Sequence, residues 1–167
     1  MQSVLEMVVS LGGMAQKQQL VALGASDYDL TIAVRSGSVR RARQGWYTAG
    51  DESEAPVRAV RVGGRLTGLS AIVEWGGWVE VPPPLHVSMR PGASRMRSQW
   101  NRRKPLLPTR AGIRLHWDDV TIANRGTSTS VALEDALVRV VLDEPLEVAV
   151  AALDWALRTG RLSTVEF

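Results

Sequence analysis

Hydrophobic positions near the start of the chain recur at helical spacing. Val4, Leu5, Val8 and Leu11 predict a first helix that Gly12-Gly13 ends. Gln16 to Leu23 repeats the pattern, with Leu20, Val21 and Leu23 inward and Gly24 after it. In "ASDYDLTIAVRSG", Ser26 is an N-cap and Asp29, three residues on, completes a shorter-armed capping box. Leu30, Ala33 and Val34 share one face of that third helix, and Gly37 closes it. Alternation then changes to period two: Val39, Arg41 and Arg43 fall on one side of a strand, Arg40 and Ala42 on the other. Gln44-Gly45 supplies a turn, and Trp46-Tyr47 starts the return strand. A helix-turn-helix followed by a two-stranded basic hairpin predicts a winged helix, whose second helix enters a DNA groove. The same spacing also fits any helical hairpin followed by a β-hairpin.

Beyond this the pattern is mixed. "AGDESEAP" (49–56) is acidic, small and ends in proline, which predicts a linker between a domain over 1–50 and another over 57–167. Val57 to Trp75 reads as a helix with breaks available at Gly63-Gly64 or Gly68. "LHVSM" (85–89) and "IRLHW" (113–117) alternate as strands. Ser130 to Leu142 predicts a helix burying Val131, Leu133, Ala136, Leu137, Val140 and Val141, and Pro145 opens a last long helix to Arg158. The expected fold class is α+β: an N-terminal winged helix-turn-helix, then a mixed domain closed by two helices. In the tail "RLSTVEF", Ser163 and Glu166 stand as cap and capping-box residues of a further helix.

Composition narrows the chemistry. The chain has 167 residues, no cysteine and two histidines, His86 and His116. Disulfides, thiol catalysis and multi-histidine metal centres are therefore excluded, and the expectation is a cytoplasmic protein without metal or cofactor. No apolar run reaches the roughly 18–20 residues of a membrane span, and no small-molecule substrate site is evident. Nucleotide-binding glycine loops, a Walker lysine and a nucleophile elbow are missing, so the chain is expected not to be an enzyme. "HWDD" (116–119) reads as a strand ending in a polar turn rather than a hydrolytic centre.

The net charge is +3, and 18 of the 20 basic residues are arginine, a bias that a GC-rich genome alone can produce. Placement says more. Residues 1–50 carry five basic and three acidic side chains, 51–110 ten and five, and 111–167 five and nine. From Val81 to Trp117 there is no acid at all, while eight basic residues are present. Such a segment is either a solvated basic loop or a surface for a polyanion.

"LGGMAQKQQLVALGASDYDLTIAVRSGSVRRARQGWYTAG" resembles the N-terminal winged helix of AbiEi-type antitoxins and their actinobacterial relatives. "GRLTGLSAIVEWGGW", "LHVSMRPGASR", "IRLHW" and "TSVALEDALVRVVLDEPLEVAVAALDWALRTGRLS" are similar in order and spacing to the rest of that family. The resemblance implies a phage-defence antitoxin of a type IV toxin–antitoxin system. Such a protein represses its own promoter at an inverted repeat in double-stranded DNA and counteracts a nucleotidyltransferase-like toxin. Some relatives continue into a very-short-patch-repair-like endonuclease, so the targeting half of a larger nuclease is one alternative. A toxin-neutralising protein module with little DNA binding is another.

The residues expected to meet DNA follow. Tyr28, Thr31 and Arg35 would enter a groove, and Arg40, Arg41 and Arg43 would hold phosphates or the minor groove. Arg95, Arg97, Arg102, Arg103 and Lys104 would add backbone contacts from the second domain. Asp27 and Asp29 stand where the family's recognition helix commonly has basic residues, which shifts the expected attraction to the three wing arginines.

Overall fold

The computed structural model describes residues 2–80, 82–110 and 112–163; the helix expected beyond Ser163 falls outside them. The fold is α+β. It divides into two compact units, one running to Gly63 and taking in Arg95–Leu106, the other made of Gly64–Ser94 and the chain from Leu107 onward.

In the first unit, Ser3 caps α1 (Val4–Ser10): its hydroxyl accepts from the Glu6 N–H, and its own N–H reaches the Glu6 carboxylate at 2.7 Å. β1 (Met14–Gln16) leads into α2 (Lys17–Ala22), and α3 (Asp27–Arg35) follows. β2 (Arg40–Arg43) and β3 (Trp46–Thr48) form the hairpin, and β1 pairs with the free edge of β3, giving an antiparallel sheet of order β1-β3-β2. β1 escaped the sequence reading because three residues are too few to display alternation. Val21 and Leu23, expected inward, are exposed; in a six-residue helix, Leu20 alone reaches the core.

The small sheet is covered on both faces. Ala15, Val39 and Tyr47 join Val8, Leu20, Leu30 and Ala33 in the core beneath α1–α3. Met14 and Ala42, on the opposite face, are buried with Val57 and Val60 of α4 (Ala55–Val62), and Trp46 packs alongside. The expected boundary at 50–57 is thus corrected, since α4 completes the first unit. Pro56 of "AGDESEAP" is a helix-start signal for α4, because proline in the first turn sacrifices no helical hydrogen bond, and Glu54 stands at the N-cap.

The second unit has β4 (Arg65–Leu66), α5 (Gly68–Glu74), β5 (Leu85–Met89), β6 (Ile113–Trp117), α6 (Val120–Asn124), α7 (Leu133–Asp143) and α8 (Leu146–Arg158). β5 is central, antiparallel to β4 and parallel to β6. All five β5 residues are buried, α5 packs on β5, and α7 packs on both α5 and α8. The stretch read as one helix from Val57 to Trp75 is broken at both glycine sites, with β4 between the pieces. Val141, expected in the core, is half exposed. No helix among the described residues is long and apolar enough to cross a membrane.

Candidate nucleic-acid interface

α3 starts where Ser26 and Asp29 close a reciprocal box. Asp29 Oδ2 accepts from the Ser26 N–H at 2.9 Å and its hydroxyl at 2.6 Å, and these bonds hold its carboxyl below the usual aspartate range. Asp27 is paired with Lys17 Nζ at 2.7 Å. Lys17 thus offsets the charge of Asp27, whereas Asp29, bonded to the neutral donors of Ser26, stays anionic at the start of α3. Lys17 was absent from the sequence-based site, because only the fold brings α2 and α3 side by side. Tyr28 is 73% exposed, and Thr31 and Arg35 are also exposed on α3. The Thr31 hydroxyl donates back to the Asp27 carbonyl at 2.8 Å.

The three hairpin arginines have three different environments. Arg40 is exposed, and Nη1 donates to the Gly50 carbonyl at 3.2 Å. Arg41 is half-buried: its guanidinium lies 5.5 Å from the Tyr47 ring centre and Nη2 donates to the Tyr47 hydroxyl at 3.3 Å. Arg43 turns away altogether. A register shift between Arg41 and Arg43 puts Arg41 opposite Tyr47 and Arg43 opposite Trp46. The extra residue in β2 breaks strict alternation, so Arg43 leaves the Val39 side on which period-two counting put it. Its Nη1 donates to the Val62 carbonyl at 3.0 Å and its Nη2 to the Arg95 carbonyl at 3.3 Å. Burial, then the nearby Arg97 charge, lower its pKa. Arg43 is a clamp inside the unit, its guanidinium engaged by the Val62 and Arg95 carbonyls rather than standing free on the hairpin surface.

The central basic segment is corrected too. Residues 95–106 belong to the first unit, not the second domain. The Arg97 N–H donates to the Val62 carbonyl at 3.2 Å, and Arg97 bridges Pro105 in a short antiparallel turn-back. Gln99 is buried and its side-chain oxygen accepts from Arg58 Nε at 3.1 Å and from Arg58 Nη2. Arg61, only 2% exposed, donates from Nη1 to the Gln99 carbonyl at 3.0 Å and pairs through Nη2 with Glu52 at 3.4 Å. Arg58 stacks 4.1 Å from the Trp100 ring centre. Arg58 and Arg61 thus fix the loop, a role invisible in sequence because they look like ordinary helix-surface arginines. Arg95, at φ +56°, contributes its carbonyl to Arg43, while Arg102, Arg103 and Lys104 form an exposed basic tip.

Between α2 and the hairpin turn lies an open groove of about 440 Å³ lined by Gln16, Lys17, Gln18, Val21, Gln44, Gly45 and Trp46. Its polar lining is the amides of Gln16, Gln18 and Gln44 and the Lys17 ammonium, of which Gln18 donates to Gln16 at 3.0 Å and Lys17 pairs with Asp27.

The second unit holds a different polar cluster. His86 and His116 stack with ring centres 5.2 Å apart. His86 Nε2 is 3.6 Å from Glu144 Oε1, which Arg114 also holds at 2.9 Å, and His116 Nδ1 is 3.3 Å from Asp143. Asp118 of "HWDD" accepts from Arg139 Nη2 at 2.8 Å, and Asp119 caps α6. No group of three or more metal-ligating side chains occurs among the described residues. Burial, followed by the charge of Arg114 and by His116, lowers the His86 pKa to about 4, and burial lowers that of His116 as well. His86 is therefore neutral when folded, and the unfolded chain binds its proton first as pH falls. Stability is complete above the ordinary histidine pKa of about 6.5 and drains away from there towards pH 4. The expected result is a thermal midpoint that falls between pH 6.5 and 4.5, with a flatter decline in His86→Gln. An identical pH profile for the variant would contradict this assignment.

No family model matches the chain, and no curated protein matches it either.

Proposed function

We propose that the chain is a sequence-specific regulator of double-stranded DNA whose first unit is a winged helix-turn-helix. The observation that carries this reading is the surface of α3. Tyr28, Thr31 and Arg35 project from a helix on which Lys17 pairs with Asp27, beside a hairpin that leaves Arg40 exposed. The order helix, strand, helix, helix, hairpin supports it, since that arrangement leaves α3 free to lie in a major groove. Arg40 and the Arg102–Lys104 tip supply cations for phosphates, and Arg41 rests on Tyr47 as support for the hairpin. Consistent with the resemblance to AbiEi-type antitoxins, the target is an inverted repeat in the chain's own promoter. The biological setting is a type IV toxin–antitoxin pair in the cytoplasm, with a nucleotidyltransferase-like toxin as the counterpart. In this reading the chain performs no catalysis.

The test is a fluorescence-anisotropy titration of the full chain with duplex DNA from the region upstream of its gene, at several salt concentrations. Affinity above that for an unrelated duplex, with a steep salt dependence, supports the proposal. Equal affinity for both duplexes overturns sequence-specific regulation.

A further inference from the structure

α8 is built with its small residues inside. Its buried side chains are Ala149, Ala152 and Ala156, whereas Leu146 and Val150 are 74% and 54% exposed and Leu157 is 41% exposed. An amphipathic helix that merely closes a domain turns its largest apolar residues to the core. Here Leu146, Val150, the half-buried Leu153 and Leu157 follow the four-three-four spacing of a helix–helix seam, along one flank of the alanine face. On α7, which packs against α8, Val138, Val141 and Leu142 are exposed as well. Exposed large apolar side chains gathered on one pair of helices mark an interaction surface.

The charges beside the seam indicate what covers it. Glu147 stands in the first turn of α8 and Arg158 in its last, both exposed, and Arg158 Nε also donates to Asp154 one turn back at 2.8 Å, leaving its Nη groups towards a partner. A second α8 lying antiparallel about a two-fold axis sets Leu146 against the partner's Leu157 and Val150 against the partner's Leu153. The same pairing brings Glu147 beside the partner's Arg158, twice over. A parallel pair would instead place like charges together at each end. We propose that α8 is a self-association surface through which two copies of this chain form an antiparallel, two-fold dimer. This needs no DNA and goes beyond the regulatory reading, although a two-fold dimer would suit an inverted repeat.

The test is sedimentation of the full chain without DNA at rising concentration up to about 0.1 mM, where a dimer of moderate affinity is populated. The expected result is a dimer in the native chain and a monomer in Val150→Lys, with equal thermal melts at dilution where both are monomeric, since residue 150 is exposed in the single chain. Glu147→Arg and Arg158→Glu each weaken dimerisation by about 3- to 10-fold, the scale of two symmetry-related exposed ion pairs, and the double reversal recovers it. A native chain that stays monomeric, a dimer unmoved by Val150→Lys, or a double reversal without recovery overturns the proposal. DNA affinity, measured separately, reports on the regulatory reading alone.

Discussion

Replacing Arg35 and Arg40 together by alanine should weaken binding to the upstream duplex by about 10- to 100-fold and make the salt dependence shallower by about one phosphate contact, that of Arg40. Both side chains are exposed, one at the end of α3 and the other at the start of β2. The hydrogen bond from Arg40 to the Gly50 carbonyl is solvent-accessible, so water replaces it in the variant with little change in the melt. Arg43→Ala should behave the opposite way. It removes the donors to the Val62 and Arg95 carbonyls and so detaches the 95–106 loop from the hairpin, at a cost of about 1–3 kcal/mol. Its signature is a lowered thermal midpoint with the salt slope retained. Anisotropy titrations and circular-dichroism melts on the same samples separate the two. A double variant that binds with native affinity and slope would remove α3 and the hairpin from the interface.

Gly126→Ala should cost the second unit about 4 kcal/mol or more. Gly126 has φ +88°, and a Cβ there would lie 2.5 Å from the Ala132 nitrogen, the Ser130 oxygen and the Val131 carbonyl carbon. These are backbone atoms that have nowhere to move. The Thr127 N–H donates to Ser130 at 2.8 Å, Leu66 exchanges backbone bonds with Thr129 and Val131 at 2.8 and 2.9 Å, and Arg65 Nη1 holds the Arg125 and Thr127 carbonyls at 2.7 and 2.8 Å. The turn therefore ties β4 to the start of α7, and displacing it loosens both. Gly92→Ala is the control: its φ is +74° but nothing stands within 4 Å, so only the left-handed backbone penalty of about 1 kcal/mol remains. Denaturant titration followed by the near-ultraviolet signal of Trp75 and Trp155 compares them. Equal costs for the two variants would show that crowding at Gly126 contributes nothing.

The three hairpin arginines are placed by partners that no local pattern contains. A cluster of three in four residues suggested three equivalent phosphate ligands. The bulge in β2 and the acceptor carbonyls of Val62 and Arg95 turned one inward, and the Tyr47 ring half-covered another. Neither effect leaves a mark in the local pattern, because each depends on a partner distant in the chain. The basic run at 102–104 was legible as basic and exposed. Its unit was not, since Gln99 meets Arg58 and Arg61 across about forty positions.

What the sequence by itself determined were the features written in short-range periodicity and caps. These are the three N-terminal helices and the start of the third at Ser26, the hairpin, the two strands, and the closing helices, of which the last starts behind Pro145 as expected while α7 starts at Leu133 rather than Ser130. Their causes lie within four or five residues: side-chain oxygens for orphan N–H groups, apolar spacing, and glycine or proline where the backbone must turn. Only the tertiary structure decided that α4 and the 95–106 loop complete the first unit and that Lys17 engages Asp27. It likewise decided that Arg43 is a clamp and that α8 keeps its leucines outside. Those outcomes depend on which surfaces remain to be covered once the local elements exist, and on which distant group satisfies a buried donor. Such choices are global, because burial and hydrogen-bond satisfaction are settled by the whole packed chain.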